Sequence, residues 1–153
     1  MIKTVNLAVT AASAYAAGNS VGGKITLQDL ADPSVILSGD RFNLAVTDVV
    51  LLDKAAQAVA YDLLFFDSDI TGVVDKTAFA VAAADLPKSL GHLSLSGLVN
   101  LGSNGGIITL SPIYKRLVLP ARTVYAVLVT RGTPTYAGIN DVSLRITSEL
   151  AAP

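Results

Sequence analysis

The sequence contains no cysteine, no tryptophan and only one histidine, His92. Without cysteine the chain has no thiol nucleophile, no disulfide and no thiolate ligand for a metal. A single imidazole also leaves little room for zinc or non-haem iron centres, which draw several ligands from histidine and cysteine. The composition therefore predicts no catalytic residue and no cofactor of these kinds.

Charge is scarce as well. Only 15% of the residues are charged and the net charge is −1, whereas about 25% of the residues of an ordinary soluble domain are charged. No basic block is present to attract a phosphate backbone, so nucleic-acid binding is not expected. A surface with so few charges must expose more apolar area than usual, and large apolar patches mark interfaces. We therefore expect an oligomer or a member of a larger assembly.

Glutamate is almost absent, since Glu149 is the only one among 12 acidic residues. Glutamate favours helix interiors whereas aspartate favours turns and caps, so this bias indicates a loop-rich β protein. Alternating apolar and polar residues, or short apolar runs rich in Val, Leu, Phe and Tyr, mark eight segments as strands. The predicted strands are residues 4–9, 24–28, 44–52, 59–66, 92–96, 113–119, 124–129 and 141–147.

One domain accounts for residues 1–153, because this length supports a sizeable core and no linker or repeat is visible. We expect an all-β fold, a jelly-roll-like β-sandwich of about eight strands with one short helix. The helix is predicted over residues 77–86, with Asp75 or Thr77 as its cap and Pro87 as its stop. Residues 53–56 are predicted to turn the chain, and residues 103–106 to form a loop.

Three of the predicted strands, residues 44–52, 59–66 and 124–129, are apolar on both faces. A strand in an isolated sandwich needs only one apolar face. The second face therefore needs a cover from loops, from the short helix or from a neighbouring subunit. The strands with two apolar faces therefore also favour an oligomer.

The N-terminal segment resembles a secretory signal peptide, with Lys3 before an apolar stretch and Ala12-Ser13-Ala14 as a small-residue cleavage site. The clean alternation over residues 4–9 favours a first β-strand instead. Two long uncharged stretches, residues 4–23 and 89–114, are interrupted by Gly, Ser and Asn. Such residues do not suit a lipid-buried helix, so no membrane span is predicted.

A short acidic segment resembles the first half of a calcium loop. Asp67, Asp69 and Asp75 offer carboxylates near a glycine, and such carboxylates can converge on one hard cation. The twelfth position of the loop, however, holds Ala78 instead of a bidentate glutamate. An Asp-rich turn that leaves a strand is therefore favoured over a metal site, and the three aspartates remain weak candidate ligands.

Other catalytic patterns are incomplete. His92 lies on the serine-bearing face of its strand, and no nucleophile elbow accompanies it, so a surface or interface histidine is expected. The glycine pairs at 22–23 and 105–106 lack the Lys-Ser/Thr pair of a phosphate-binding loop and indicate turns. Paired-carboxylate hydrolysis stays open as an alternative, although no particular pair of aspartates stands out.

The string Arg131-Gly132-Thr133-Pro134-Thr135-Tyr136 is the most distinctive in the sequence. In one interpretation it is a shaped turn, in which Tyr136 packs back against the domain. In the other it is a contact loop, because arginine and tyrosine are enriched at interface hot spots. The candidate contact residues for a partner are Tyr15, Tyr114, Arg131 and Tyr136.

Four strings, spread over residues 15–138, carry a resemblance to a known family. They are YAAGNSVGG from Tyr15, VVLLDKAAQAVAYDLLFFDSD from Val49, AAADLPKSLG from Ala82 and RGTPTYAG from Arg131. In this order they resemble a family of small structural proteins encoded beside the major capsid gene of tailed bacteriophages. Members of that family are similar to head-decoration, or cement, proteins.

The resemblance implies a β-sandwich protomer that forms a homotrimer on the capsid exterior of the virion. Such trimers would sit at three-fold or quasi-three-fold positions and bridge neighbouring capsomers, with the major capsid protein as partner. The resemblance carries over no catalytic or cofactor residues. A cement protein binds the assembled shell and not the loose subunits, so mass action favours assembly, and three-fold placement adds avidity.

A carbohydrate-binding β-sandwich module of a phage tail or a secreted system is the main alternative, because jelly rolls often bind sugars. Sugar faces commonly stack on aromatic rings, but tryptophan is absent and the five tyrosines are dispersed. Tyr61 and Tyr125 lie within apolar strands and are expected in the core. This alternative and the carboxylate hydrolase remain open at this point.

Overall fold

The structure, a computed structural model, describes residues 1–28, 30 and 42–151. Nearly all of its regular structure is β. The ten strands found among these residues are β1 (Ile2–Leu7), β2 (Ser20–Gln28), β3 (Phe42–Asp53), β4 (Tyr61–Phe66), β5 (Ser89–Leu95), β6 (Val99–Asn100), β7 (Gly106–Leu110), β8 (Lys115–Leu119), β9 (Thr123–Thr130) and β10 (Val142–Leu150).

The strands form two antiparallel sheets that face each other. The six-stranded sheet has the order β1-β10-β3-β7-β6, and β8 also pairs with β3. The four-stranded sheet has the order β2-β9-β4-β5. A large apolar cluster fills the space between them and includes Leu51, Phe65, Leu128 and Leu144. The expected all-β sandwich is confirmed.

The strand pairing is nested. β1 pairs with β10, β2 with β9, and β4 with β5. β3 pairs with β7 along one half and with β8 along the other, so β7 and β8 act as one interrupted strand. All of these pairings are antiparallel.

A second apolar cluster covers the outer face of the four-stranded sheet. Phe66, Val127 and Val129 point outward from β4 and β9 and are buried. The connection between β4 and β5, residues 67–88, covers them with Ile70 and Phe79, whose ring lies edge-on to that of Phe66. The cover that two of the doubly apolar strands require therefore comes from the chain itself and not from a neighbouring subunit.

The predicted helix over residues 77–86 is wrong. These residues form turns and extended chain, followed by a single 3₁₀ turn at Leu86–Lys88 that contains Pro87. The backbone groups that a helix would use internally are bonded to the start of β2. Ser20 N donates to Thr77 O at 3.0 Å, and Phe79 N donates to Gly18 O at 2.9 Å. Tertiary pairing and the burial of Phe79 outweigh helix propensity here.

The predicted strands match the structure except around residues 99–119. β6 and β7 were not expected, and β8 begins at Lys115, after a loop with a cis peptide bond between Ser111 and Pro112. The two missed strands are short, with two and five residues, so they show too little alternation to be recognised. Among the described residues, no helix is long and apolar enough to span a bilayer.

We predict that Ile70→Ala lowers the free energy of unfolding by about 2–4 kcal/mol, because it opens a cavity under the 67–88 connection. Ile70 is 3% exposed. Val74→Ala in the same connection is the matched control, since Val74 is 62% exposed and its truncation should change stability by less than ~0.5 kcal/mol. Urea denaturation of both variants measures the difference, and equal values would show that the connection does not act as a cover.

Candidate interaction surface

Three loops meet at one end of the sandwich, which we call the loop end. They are residues 8–19 before β2, residues 54–60 between β3 and β4, and residues 131–141 between β9 and β10. Backbone hydrogen bonds join them, because Tyr15 N donates to Pro134 O at 2.9 Å and Arg131 N donates to Ala60 O at 2.8 Å. Three of the four strings that carry the family resemblance therefore come together here.

A cluster of three tyrosines lies beneath these loops. The hydroxyls of Tyr61 and Tyr136 are hydrogen-bonded at 2.8 Å, and the ring of Tyr15 packs edge-on to that of Tyr136 with centroids 5.4 Å apart. All three side chains are at most 1% exposed. Burial raises the pKa of Tyr15 to about 12 and raises the pKa values of Tyr61 and Tyr136 further. The cluster is thus a neutral, buried support for the three loops.

Asp75 ties the covering connection to the loop end. Its carboxylate accepts hydrogen bonds from the Thr10 amide at 2.9 Å, the Thr10 hydroxyl at 2.7 Å and the Gly22 amide at 2.6 Å. It also accepts a bond from the Tyr15 hydroxyl at 2.8 Å. Gly22 has φ of +77°, and a Cβ there would lie 2.6 Å from the Leu7 Cβ, so this close approach requires glycine. One carboxylate therefore joins two loops and the tyrosine cluster.

The string from Arg131 to Tyr136 is a shaped turn that holds the loop end together. Gly132 lies against Val59, where a Cβ would approach Cγ1 of Val59 to 2.6 Å. Arg131 Nε donates to Asp62 on β4 at 2.6 Å. Burial alone would raise the pKa of Asp62, but bonds from Ser94 and Arg131 outweigh it and hold this pKa below its usual value.

The four candidate contact residues divide into two groups. Tyr15 and Tyr136 are buried in the protomer, so their rings offer no area to a partner and their role is to support the loops. This corrects the expectation of direct contact for these two residues. Tyr114 is 62% exposed beside the start of β8, and Arg131 is exposed. Both remain predicted contacts.

The three candidate calcium ligands serve separate purposes. Asp69 forms an ion pair with Lys24, Asp67 accepts a bond from Ser68, and Asp75 is bonded as described above. No group of three or more potential ligands that could hold a metal occurs in the described parts of the chain. The three carboxylates therefore bind different partners.

Two other aspartates, Asp53 and Asp141, lie near each other at the loop end. The carboxylate of each accepts hydrogen bonds from backbone amides of an adjacent turn. Asp53 is 1% exposed and accepts bonds from the amides of Ala55 and Gln57, both at 2.8 Å. Asp141 accepts bonds from the amides of Ala137 and Gly138. Burial raises the pKa of Asp53. The predicted turn after β3 is confirmed, and both carboxylates serve as backbone acceptors.

The outer face of the six-stranded sheet contains the second face of β3, which the sequence predicted to be apolar. We call it the bare face, because Leu52, Val99 and Arg145 are exposed on it, although Ala45 at its other end is buried. One register row crosses five strands through Asn6, Ser143, Leu52, Ile107 and Val99. Directly paired residues point to the same side of a sheet, so their side chains are neighbours.

Three apolar side chains are adjacent in this row. Leu52 is 36% exposed and Val99 58% exposed, and partly buried Ile107 lies between them. Leu101, just beyond β6, is 62% exposed. A shallow depression of about 230 Å³ lies where the bare face meets the loop end. Its lining includes Leu52, Lys54, Leu101, Asn104, Ile107 and Asp141.

Comparison with protein-family models, with curated proteins and with solved structures finds no match to this chain. The physical features of its own surface must therefore support any proposal of function.

We predict that Asp75→Asn destabilises the fold by about 1–3 kcal/mol, because an amide cannot accept from all the donors that converge on the carboxylate. Asp67→Asn is the matched control in the same connection. Its carboxylate accepts a bond only from the neighbouring Ser68 within the described residues, so a change below ~0.5 kcal/mol is expected. Thermal and urea unfolding measure both variants, and equal stabilities would contradict the central position of Asp75.

Proposed function

We propose that the protein is a virion structural protein, a capsid decoration or cement protein that forms a homotrimer on the outer surface of a phage head and bridges capsomers. The observation that carries the proposal is the asymmetry of the sandwich. The chain itself covers β4 and β9 on the outer face of the four-stranded sheet, whereas apolar Leu52 and Val99 stay exposed on the outer face of the six-stranded sheet. The resemblance of the four strings supports the same role.

The bare face is suited to a second copy of the chain. It carries two basic residues, Arg145 and Arg116, and two acidic residues, Asp48 and Glu149, so its charges balance. In a three-fold ring this face would contact a different patch of the next copy, and its balanced charges add no net repulsion to that contact. The apolar row through Leu52 would then lose water contact, which is the main favourable term in association.

The size of the bare face also fits an interface. The six strands contain 6, 9, 12, 5, 5 and 2 residues, which is 39 in all. At about 3.3 Å by 4.8 Å per residue the face has a plan area of roughly 600 Å², which is three quarters of the ~800 Å² that each partner contributes to a stable complex. We infer that this face lies in the trimer contact, whereas Tyr114 and Arg131 remain the proposed contacts with the shell.

The aromatic residues do not favour the carbohydrate-binding alternative. Tyr15, Tyr61 and Tyr136 are buried as one cluster, and Tyr125 is half-buried beneath the Lys24 ammonium group, 5.8 Å from its ring centroid. Among the aromatic side chains that the structure describes, only Tyr114 is largely exposed. One isolated ring is a poor stacking platform, so no surface feature supports this second function.

Cosedimentation with phage heads tests the proposal. Heads stripped of the protein, from the phage that carries its gene, should bind it in a ratio set by their three-fold positions, and the unassembled capsid protein should not bind it. Heads that bind the protein should also resist heating or chelation better than stripped heads. Absence of binding to heads, together with specific retention on an immobilised glycan, would replace the proposal with the carbohydrate-binding alternative.

A matched pair of variants tests the role of the bare face. Leu52→Asp places a charge in the apolar row and should reduce head binding at least tenfold, because a buried unpaired carboxylate costs more than 1.4 kcal/mol. Val74→Asp adds the same charge to a more exposed apolar site, 62% against 36% for Leu52, in the 67–88 connection over the other sheet, and should bind as the wild type does. Equal binding of both variants would remove the bare face from the interface.

A further inference from the structure

The turn between β6 and β7 holds a reactive pair of residues. Asn104 is exposed at this turn and is the only asparagine in the sequence that is followed by glycine. Within the described residues its side-chain amide has no hydrogen-bond partner. Asn19, in contrast, is buried and donates to Lys76 O at 3.1 Å, and Asn100 accepts a bond from the Gly102 amide at 2.8 Å.

The fold requires glycine after Asn104. Gly105 has φ of +123°, and a Cβ there would lie 2.5 Å from Asp53 O and 2.8 Å from the Lys54 Cα. Both neighbours are backbone atoms of the turn after β3, so they have little freedom to move. The carbonyl of Gly105 accepts a bond from Leu101 N at 2.8 Å, while its amide donates to no described residue. The Gly105 nitrogen therefore has no acceptor among the described residues, and Gly105 is buried whereas Asn104 is exposed.

We propose that Asn104 is a site of spontaneous deamidation. The deprotonated backbone nitrogen of Gly105 attacks Cγ of Asn104, and a C–N bond forms that closes a five-membered succinimide. The bond between Cγ and Nδ2 breaks, and Nδ2 leaves as ammonia after taking up a proton. Water then adds to either succinimide carbonyl and opens the ring. The products are aspartate and isoaspartate, and no oxidant or reductant is consumed.

The modification changes the protein in two ways. Each event adds one negative charge to a chain whose net charge is −1. Isoaspartate also lengthens the backbone by one carbon. It does so in a turn where Gly105 already packs against the backbone of Asp53 and Lys54. Because Asn104 lines the depression beside Leu52, the new carboxylate would lie at the edge of the bare face. If the proposed function holds, modified chains should assemble less well.

Incubation of the folded protein in mildly alkaline buffer tests the proposal, with peptide mapping at intervals. Asn104 should gain one mass unit several times faster than Asn140, which is exposed and precedes Asp141. Isoaspartate should be detected at residue 104 by methyltransferase labelling. Asn104→Gln should remove the fast acidic species on isoelectric focusing, because a glutamine would have to form a slower six-membered ring. Asn140→Gln should retain that species.

Equal modification of Asn104 and Asn140, or an unchanged acidic species in Asn104→Gln, would overturn the proposal. Neither variant is expected to unfold the protein, since both side chains are exposed. These measurements use the isolated protein and no phage heads. Failure of the capsid-binding experiment would therefore leave this result unaffected, and the reverse also holds.

Discussion

The carboxylate of Asp75 is the interaction on which the arrangement of the loop end depends. It lies in the connection between β4 and β5, yet it accepts hydrogen bonds from Thr10, Tyr15 and Gly22, which lie before and within β2. Through Tyr15 it reaches Tyr136, and through Tyr136 it reaches Tyr61. Bonds to a charged acceptor are stronger than neutral ones, so one side chain links the cover of one sheet to three loops.

This link leaves the two sheets in different surroundings. The same connection that carries Asp75 also buries Phe66, Val127 and Val129 on the outer face of the four-stranded sheet. The described residues give the six-stranded sheet no comparable apolar cover, and Leu52 and Val99 are therefore exposed on it. A rigid sandwich with one bare face is what a subunit of a larger assembly needs. The proposed assembly would also account for the scarcity of charged residues, because a surface buried by neighbours needs few charges.

The sequence predicted much of the fold because the longer strands alternate or are continuously apolar. It could not reveal the register that aligns Leu52, Ile107 and Val99, since register depends on pairings between segments far apart in the chain. The helix prediction failed because propensity does not report the backbone bonds between residues 76–79 and 18–20. For the same reason Tyr15 and Tyr136 were expected at a contact surface, whereas tertiary packing places both in one buried cluster. The positions of Tyr15 and Tyr136 in the sequence do not indicate that their rings are in contact.

The native mass of the purified protein, measured by light scattering across a size-exclusion peak at several concentrations, tests the account most directly. Three chains of 15.7 kDa have a mass of about 47 kDa, and we predict this mass at every concentration because the bare face is covered only in the trimer. A mass of 15.7 kDa at every concentration would contradict the account, since a stable monomer would leave the row through Leu52 in water.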